Sequence, residues 1–167
     1  MRFEIIATIA ILLALPSCQS GKEAAKPPVR LGPDVQQLAE EILAPLEHPV
    51  AIELILGGEG ETMAREAQAL VDLTASTSSM VTVNRLDIAA HPDPVGLGVS
   101  HGPVIEMKGS APGTLRYYGF PERKETRPFF QGILLASGSP VDLPPAVESY
   151  IAGLKEEVWI RIFTTPE

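Results

Sequence analysis

The order of apolar patterns along the chain predicts an α/β protein with a central mixed four-stranded sheet flanked by helices, followed by one more helix and strand. Three observations carry this expectation. Between positions 34 and 86 the spacing of apolar residues alternates between helical and strand-like twice. Two short β-prone runs, at 103–107 and 114–119, are then joined by the turn-rich Lys-Gly-Ser-Ala-Pro-Gly. A third helical stretch follows them.

The first helix is expected from Asp34, an N-cap candidate just after Pro33. Val35, Leu38, Ala39, Ile42, Leu43 and Leu46 then share one helical face up to Pro49. Val50-Ala51-Ile52-Glu53-Leu54-Ile55-Leu56 is short, apolar and closed by Gly57-Gly58, which suits a buried strand. Positions 61–75 return to helical spacing through Met63, Ala64, Ala67, Leu70, Val71 and Thr74. Met80 to Leu86 reads as a second strand, with Met80, Thr82 and Asn84 set against Val81, Val83 and Leu86. Helix, strand, helix, strand implies a parallel pair with a right-handed crossover.

Ala89 to Gly102, with His-Pro-Asp-Pro and several glycines, is expected as a loop or a poorly formed helix. The two runs after it form an antiparallel hairpin. Lys124 to Ala136 is the next helix, with Phe129, Phe130, Ile133 and Leu134 inward, Pro128 tolerable only near the first turn, and Gly138 as the stop. Tyr117 and Tyr118 face opposite sides of their strand. Beyond Asp142-Leu143-Pro144-Pro145, Val147, Tyr150, Ile151 and Leu154 take helical spacing, and Val158 to Phe163 reads as a final strand.

The N-terminus has the layout of an export signal. Arg2 precedes an apolar run from Ile5 to Leu15, and Leu15-Pro16-Ser17 stands before Cys18, the only cysteine. This resembles a bacterial lipoprotein signal, with Glu4 and Pro16 as departures. It implies a signal peptide at 1–17 and a diacylglycerol on Cys18 that anchors the chain to the membrane. The run is short of the about 20 residues a membrane span needs. Gln19 after the cysteine favours the outer membrane, facing the periplasm. Residues 18–33 carry three prolines and few large apolar side chains, so they form a lipidated tether.

What remains is about 150 residues, enough for one domain with its own core. The formal charge of −8 argues against nucleic acid as a partner, since phosphate binding needs clustered Lys and Arg. With a single cysteine, no disulfide can form within the domain, so packing alone must hold it.

A β-α-β half, a loop ending in Gly102-Pro103 at a strand start, a hairpin, and Tyr118-Gly119-Phe120-Pro121-Glu122-Arg123-Lys124-Glu125 opening a helix together resemble the thioredoxin fold. More closely, they resemble the glutaredoxin-like units of protein disulfide oxidoreductases and of the N-terminal domain of alkyl hydroperoxide reductase flavoprotein subunits. The resemblance covers about 34–167, its specific part lying within 102–138. It implies a cis Pro103 beside the functional turn, where its backbone edge receives an extended peptide. It places that turn at Gly57-Gly58-Glu59-Gly60-Glu61-Thr62, where such proteins carry Cys-x-x-Cys at a helix start that lowers the thiol pKa. No nucleophile stands there, and the two glutamates read as helix-start residues suited to the macrodipole.

The candidate peptide groove is therefore His101, Gly102, Pro103, Gly58, Glu59 and Gly60, with no catalytic residue. In two-unit relatives of this kind the first unit commonly lacks the cysteines and the second carries them. By the same resemblance, 34–138 matches the unit without Cys-x-x-Cys, and 139–167 matches the start of a second unit. The redox motif is then expected directly after Glu167. Three accounts of the final strand stand side by side: addition to the first unit's sheet, a truncated product, or a selenocysteine codon read as a stop. The nucleotide sequence past Glu167 distinguishes them.

Two functions follow as expectations. One is the noncatalytic portion of a membrane-anchored thiol-disulfide oxidoreductase system with a protein or peptide disulfide partner. The other is a redox-inactive binding module for an extended peptide or partner protein. No cofactor is expected. His91, His101 and Asp93 have no recognised metal-ligand spacing and read as a solvated loop.

Overall fold

The computed structural model describes residues 29–57, 61–93, 95–99, 101–140, 143–156, and positions 158, 160 and 162. The expected signal peptide, Cys18 and most of the expected tether lie outside the described residues. Among those described, no helix is long and apolar enough to cross a membrane.

Helix α1 spans Pro33–Leu43. Its N-cap is Gly32 rather than Asp34, because Pro33 takes the first helical position, where a missing N–H costs nothing and φ is already set. The helix ends three residues earlier than its apolar spacing suggested. Ala44 keeps helical backbone angles and donates to the Glu40 carbonyl (3.2 Å), but Pro45 has no N–H to donate, so a turn with the Leu46 N–H on the Leu43 carbonyl (3.0 Å) replaces the last helical turn. Leu46 is still buried, so the apolar signal at that position was packing, without helix.

Strand β1 spans Val50–Leu56, helix α2 Glu61–Thr77 and strand β2 Val81–Asp87. A 3-10 turn at Ile88–Ala90 follows. Strands β3 (Val104–Lys108) and β4 (Leu115–Tyr118) make the expected hairpin. A 3-10 turn at Arg123–Glu125 leads into α3, Thr126–Ala136, which places Pro128 in the first turn as required. The sheet order is β2-β1-β3-β4, with β1–β2 parallel and the other pairs antiparallel. The mixed four-stranded sheet expected from the pattern is the one formed.

Strand side chains alternate, so the register sorts the sheet into two faces. One face carries Val50, Ile52 and Leu54 of β1, Val81 and Val83 of β2, Ile105 and Met107 of β3, and Tyr117 of β4. Against it pack Ala39, Ile42 and Leu43 of α1, Ala67, Leu70 and Val71 of α2, and Phe129, Phe130 and Ile133 of α3. All three helices therefore cover the same face. Phe129 sits edge-on to both Tyr117 and Phe130, with ring centroids 5.4 Å apart in each pair.

Leu86 belongs to the other face, with Thr82 and Asn84, since only even positions of β2 point that way. It joins Ile55, Val104 and Leu97 in a second, smaller cluster with Ile88 and Val99. This face is roofed by the 88–99 segment in place of a helix.

Gly138 stops α3 as the sequence implied. At φ +90° it donates its N–H to the Leu135 carbonyl (3.0 Å), and Ser139 donates to Leu134 (3.1 Å), the paired bonds of a Schellman ending. Helix α4 spans Pro145–Ala152. The strand expected at 158–163 is not formed at the described positions: Val158, Ile160 and Ile162 lie outside any strand and are exposed. Propensity alone does not make a strand, because its backbone groups need a neighbour to pair with.

Candidate functional site

Three chain segments meet at the C-terminal end of β1. Gly102 donates its N–H to the Gly57 carbonyl at 2.8 Å, and Gly119 donates to the Pro103 carbonyl at 2.8 Å. The Gly102–Pro103 bond is cis, and Pro103 is buried. A Cβ on Gly102 would stand 2.6 Å from the Ile55 carbonyl oxygen and 3.2 Å from the Leu56 Cα, so only glycine lets the loop come this close to β1. Gly57 itself has φ +140°. His101, at the outer lip, is exposed.

Gly102 and Pro103 thus lie against the end of β1 at Gly57, and His101 precedes them in the chain. Gly58, Glu59 and Gly60, the other residues expected to line a peptide groove, fall outside the described residues. Met63, in the first turns of α2, reaches the same region: its Sδ lies 3.4 Å from where a Cβ on Gly119 would stand. It is 44% exposed, an apolar side chain beside Gly119.

The loop is fastened from the sheet's second face. Tyr118 Oη donates to the Leu97 carbonyl (2.9 Å), and Arg116 Nη1 donates to the Gly96 carbonyl (3.2 Å). Asp93 Oδ1 accepts from the Gly96 N–H (2.8 Å), and Leu97 fills the small cluster on Ile55 and Val104.

Arg116 is held by Glu106. The register pairs Glu53 with Glu106 across β1–β3, and Glu106 with Arg116 across β3–β4, so the three line up in one row. The Arg116 Nε hydrogen-bonds Glu106 Oε1. Lys108 Nζ lies 3.1 Å from Glu106 Oε2 and 3.5 Å from Glu53 Oε2. That contact with Oε2 is an ion pair off the line of a hydrogen bond, and Oε2 accepts no hydrogen bond among the described residues. Burial alone would raise the Glu106 pKa. Lys108 and Arg116 together outweigh it and hold the carboxyl below the ordinary carboxylate value. Glu106 in turn raises Lys108.

His91 is 8% exposed and lies with Glu53 and Glu106, their ligand-type atoms all within 4.8 Å of one another. The structure therefore groups His91 with these carboxylates. Two features oppose a metal there. The His91 Nδ1 lone pair already accepts from the Asp93 N–H (3.1 Å), which puts the ring proton on Nε2 and leaves that nitrogen a donor. The Lys108 ammonium also already spans the two carboxylates, supplying the positive charge a cation would bring. Sequence reasoning did not single out Glu53 and Glu106. Their signal was a lone carboxylate inside each of two apolar strand runs.

No family model matches the chain, and no curated protein matches it. Solved structures do. The NTD_N/C domain of alkylhydroperoxide reductase AhpF from Enterococcus faecalis is similar with a TM-score of 0.60 at 16% identity. The match covers 76% of this chain and 62% of that one. A protein disulfide oxidoreductase from Aeropyrum pernix is similar with a TM-score of 0.59 at 20% identity, covering 76% of this chain and 56% of that one. The chain thus spans less than two thirds of the structures it resembles. At these identities the likeness speaks to architecture, and the architecture is a thioredoxin-like α/β fold.

Proposed function

We propose that this chain is a thioredoxin-like unit without redox thiols that serves as the noncatalytic, binding portion of a thiol-disulfide oxidoreductase system. One observation carries the reading. The buried Pro103 and the end of β1 form the fold's usual meeting point, yet the only cysteine, Cys18, stands outside the domain. A thiolate is the nucleophile in disulfide exchange, so this groove can hold a peptide but cannot attack its disulfide.

The partner in this reading is an extended protein or peptide segment laid along His101, Gly102 and Pro103, with Gly58, Glu59 and Gly60 opposite. The redox pair is supplied by another unit, whether in a longer product or in a separate protein. The likeness to a protein disulfide oxidoreductase supports this reading over that of a binding module unconnected with thiol chemistry. Cys18 carries the diacylglycerol that holds the unit at the membrane, on the periplasmic side of the outer membrane.

Two experiments test the reading. Dithiol-dependent insulin reduction by the Cys18→Ala chain is expected to be zero, and measurable turnover would sink the assignment. Labelled palmitate is expected to enter the wild-type chain and not the Cys18→Ala chain. Equal labelling, or none in either, removes the anchor. Loss of the anchor would leave the binding assignment standing.

A further inference from the structure

Strand β2 is an outer strand of the sheet, and its far side has no partner strand among the described residues. It is seven residues long, whereas the opposite edge, β4, is four residues long and ends at Gly119, φ +99°. An unpaired edge presents a row of N–H and C=O groups that another strand can satisfy. β2 is therefore the edge with room for one.

The same chain carries a segment suited to that edge. Residues 158–163, Val-Trp-Ile-Arg-Ile-Phe, are β-branched or aromatic apart from one arginine, with no glycine or proline. Val158, Ile160 and Ile162 are 55%, 79% and 81% exposed and belong to no strand of their own copy. Three large apolar side chains spaced two apart form one face of a strand, and exposure of such a face marks an interaction surface. Their match on β2 is the row Val81 and Val83, which borders the core beneath α2. One event answers both features.

We propose that segment 158–162 of one copy adds as a fifth strand to the outer edge of β2 in a second copy. Val158, Ile160 and Ile162 then continue the Val81 and Val83 row. Exchange in both directions about a two-fold axis uses up the segment and the β2 edge of each copy, which closes the assembly at a dimer. This inference does not depend on the peptide-groove reading, since β2 and the 158–162 segment are separate from Pro103.

The test uses the full chain in detergent, with Cys18→Ser in every version. Arg85→Cys is exposed and lies in the Val81–Val83 row. It is co-expressed with Val158→Cys in one experiment and Ile162→Cys in another, and the cells are mildly oxidised. A disulfide between the two different chains is expected in one of these pairings, and which one reports whether the added strand runs parallel or antiparallel. Lys124→Cys, exposed in the middle of the 3-10 turn before α3, is the control and is expected to give little product. Equal product from the control overturns the proposal.

Sedimentation reads the same equilibrium without cysteines. Asn84→Lys and Ile160→Lys, both on exposed side chains, are each expected to raise the monomer-dimer midpoint by about tenfold or more, as charge on an edge strand does. A parent chain that stays monomeric at about 0.2 mM overturns the proposal. A blue-shifted Trp159 emission in such a monomer would assign the segment to its own chain.

Discussion

Glu106 is the residue on which most of the second face depends. Its side chain is 1% exposed and engages Arg116 and Lys108, and Arg116 reaches on to the Gly96 carbonyl. Removing the charge leaves a partly buried guanidinium without its partner, a loss of about 3 kcal/mol. Glu106→Gln is accordingly expected to lower the unfolding free energy from urea titration by that amount, and an unchanged value would show the row to be dispensable. Gly138→Ala is the second residue-scale test. Its left-handed conformation costs a Cβ-bearing residue about 1–2 kcal/mol, read as a drop in melting temperature with the secondary structure unchanged.

At the scale of elements, α3 is the piece that joins the hairpin to the rest. Phe129 and Phe130 are fully buried, and Gly132 brings the helix close enough for the Tyr117 hydroxyl to stand 3.3 Å from a would-be Cβ. The same hydroxyl donates to the Pro128 carbonyl at 3.1 Å. Phe129→Ala is expected to cost about 3–5 kcal/mol, since it removes buried area and leaves a cavity between α3 and β4. Near-UV circular dichroism checks it, because the edge-to-face contacts with Tyr117 and Phe130 go together. Much of this level was legible beforehand: β1 at 50–56 and the inward Phe129, Phe130 and Ile133 followed from spacing alone. The end of α1 was misjudged because Leu46 continues the apolar pattern past Pro45, and burial does not require a helix. The last strand is not seen at Val158, Ile160 and Ile162, since a composition that suits pairing says nothing of a partner.

For the molecule as a whole, the charged row sets the response to pH. Glu106 has a folded pKa below its unfolded value, so its contribution is present above the unfolded value and fades as pH falls through the folded one. Lys108 is shifted the other way, so its share is present below the unfolded value and is lost as pH rises through the folded one. Between about pH 7 and pH 2 the wild-type urea midpoint is expected to fall more steeply than that of Glu106→Gln, and parallel curves would contradict the assignment. The meeting of the loop with the end of β1 was half legible at this scale. Gly102 and Pro103 were marked by their place before a strand, whereas the charged row beneath the loop could not be read at all, since Glu53, His91, Glu106 and Arg116 are far apart in sequence.

By itself, then, the sequence determined the kinds of element, their order, the parallel first pair, the hairpin and the absence of a thiol from the domain. These rest on local periodicity, turn chemistry and composition, all of which act over a few neighbouring residues. Only the tertiary structure decided that three helices share one face, that a loop roofs the other, and that Glu106 couples that loop to the sheet. Those outcomes depend on register, and register is fixed by which distant strands lie side by side.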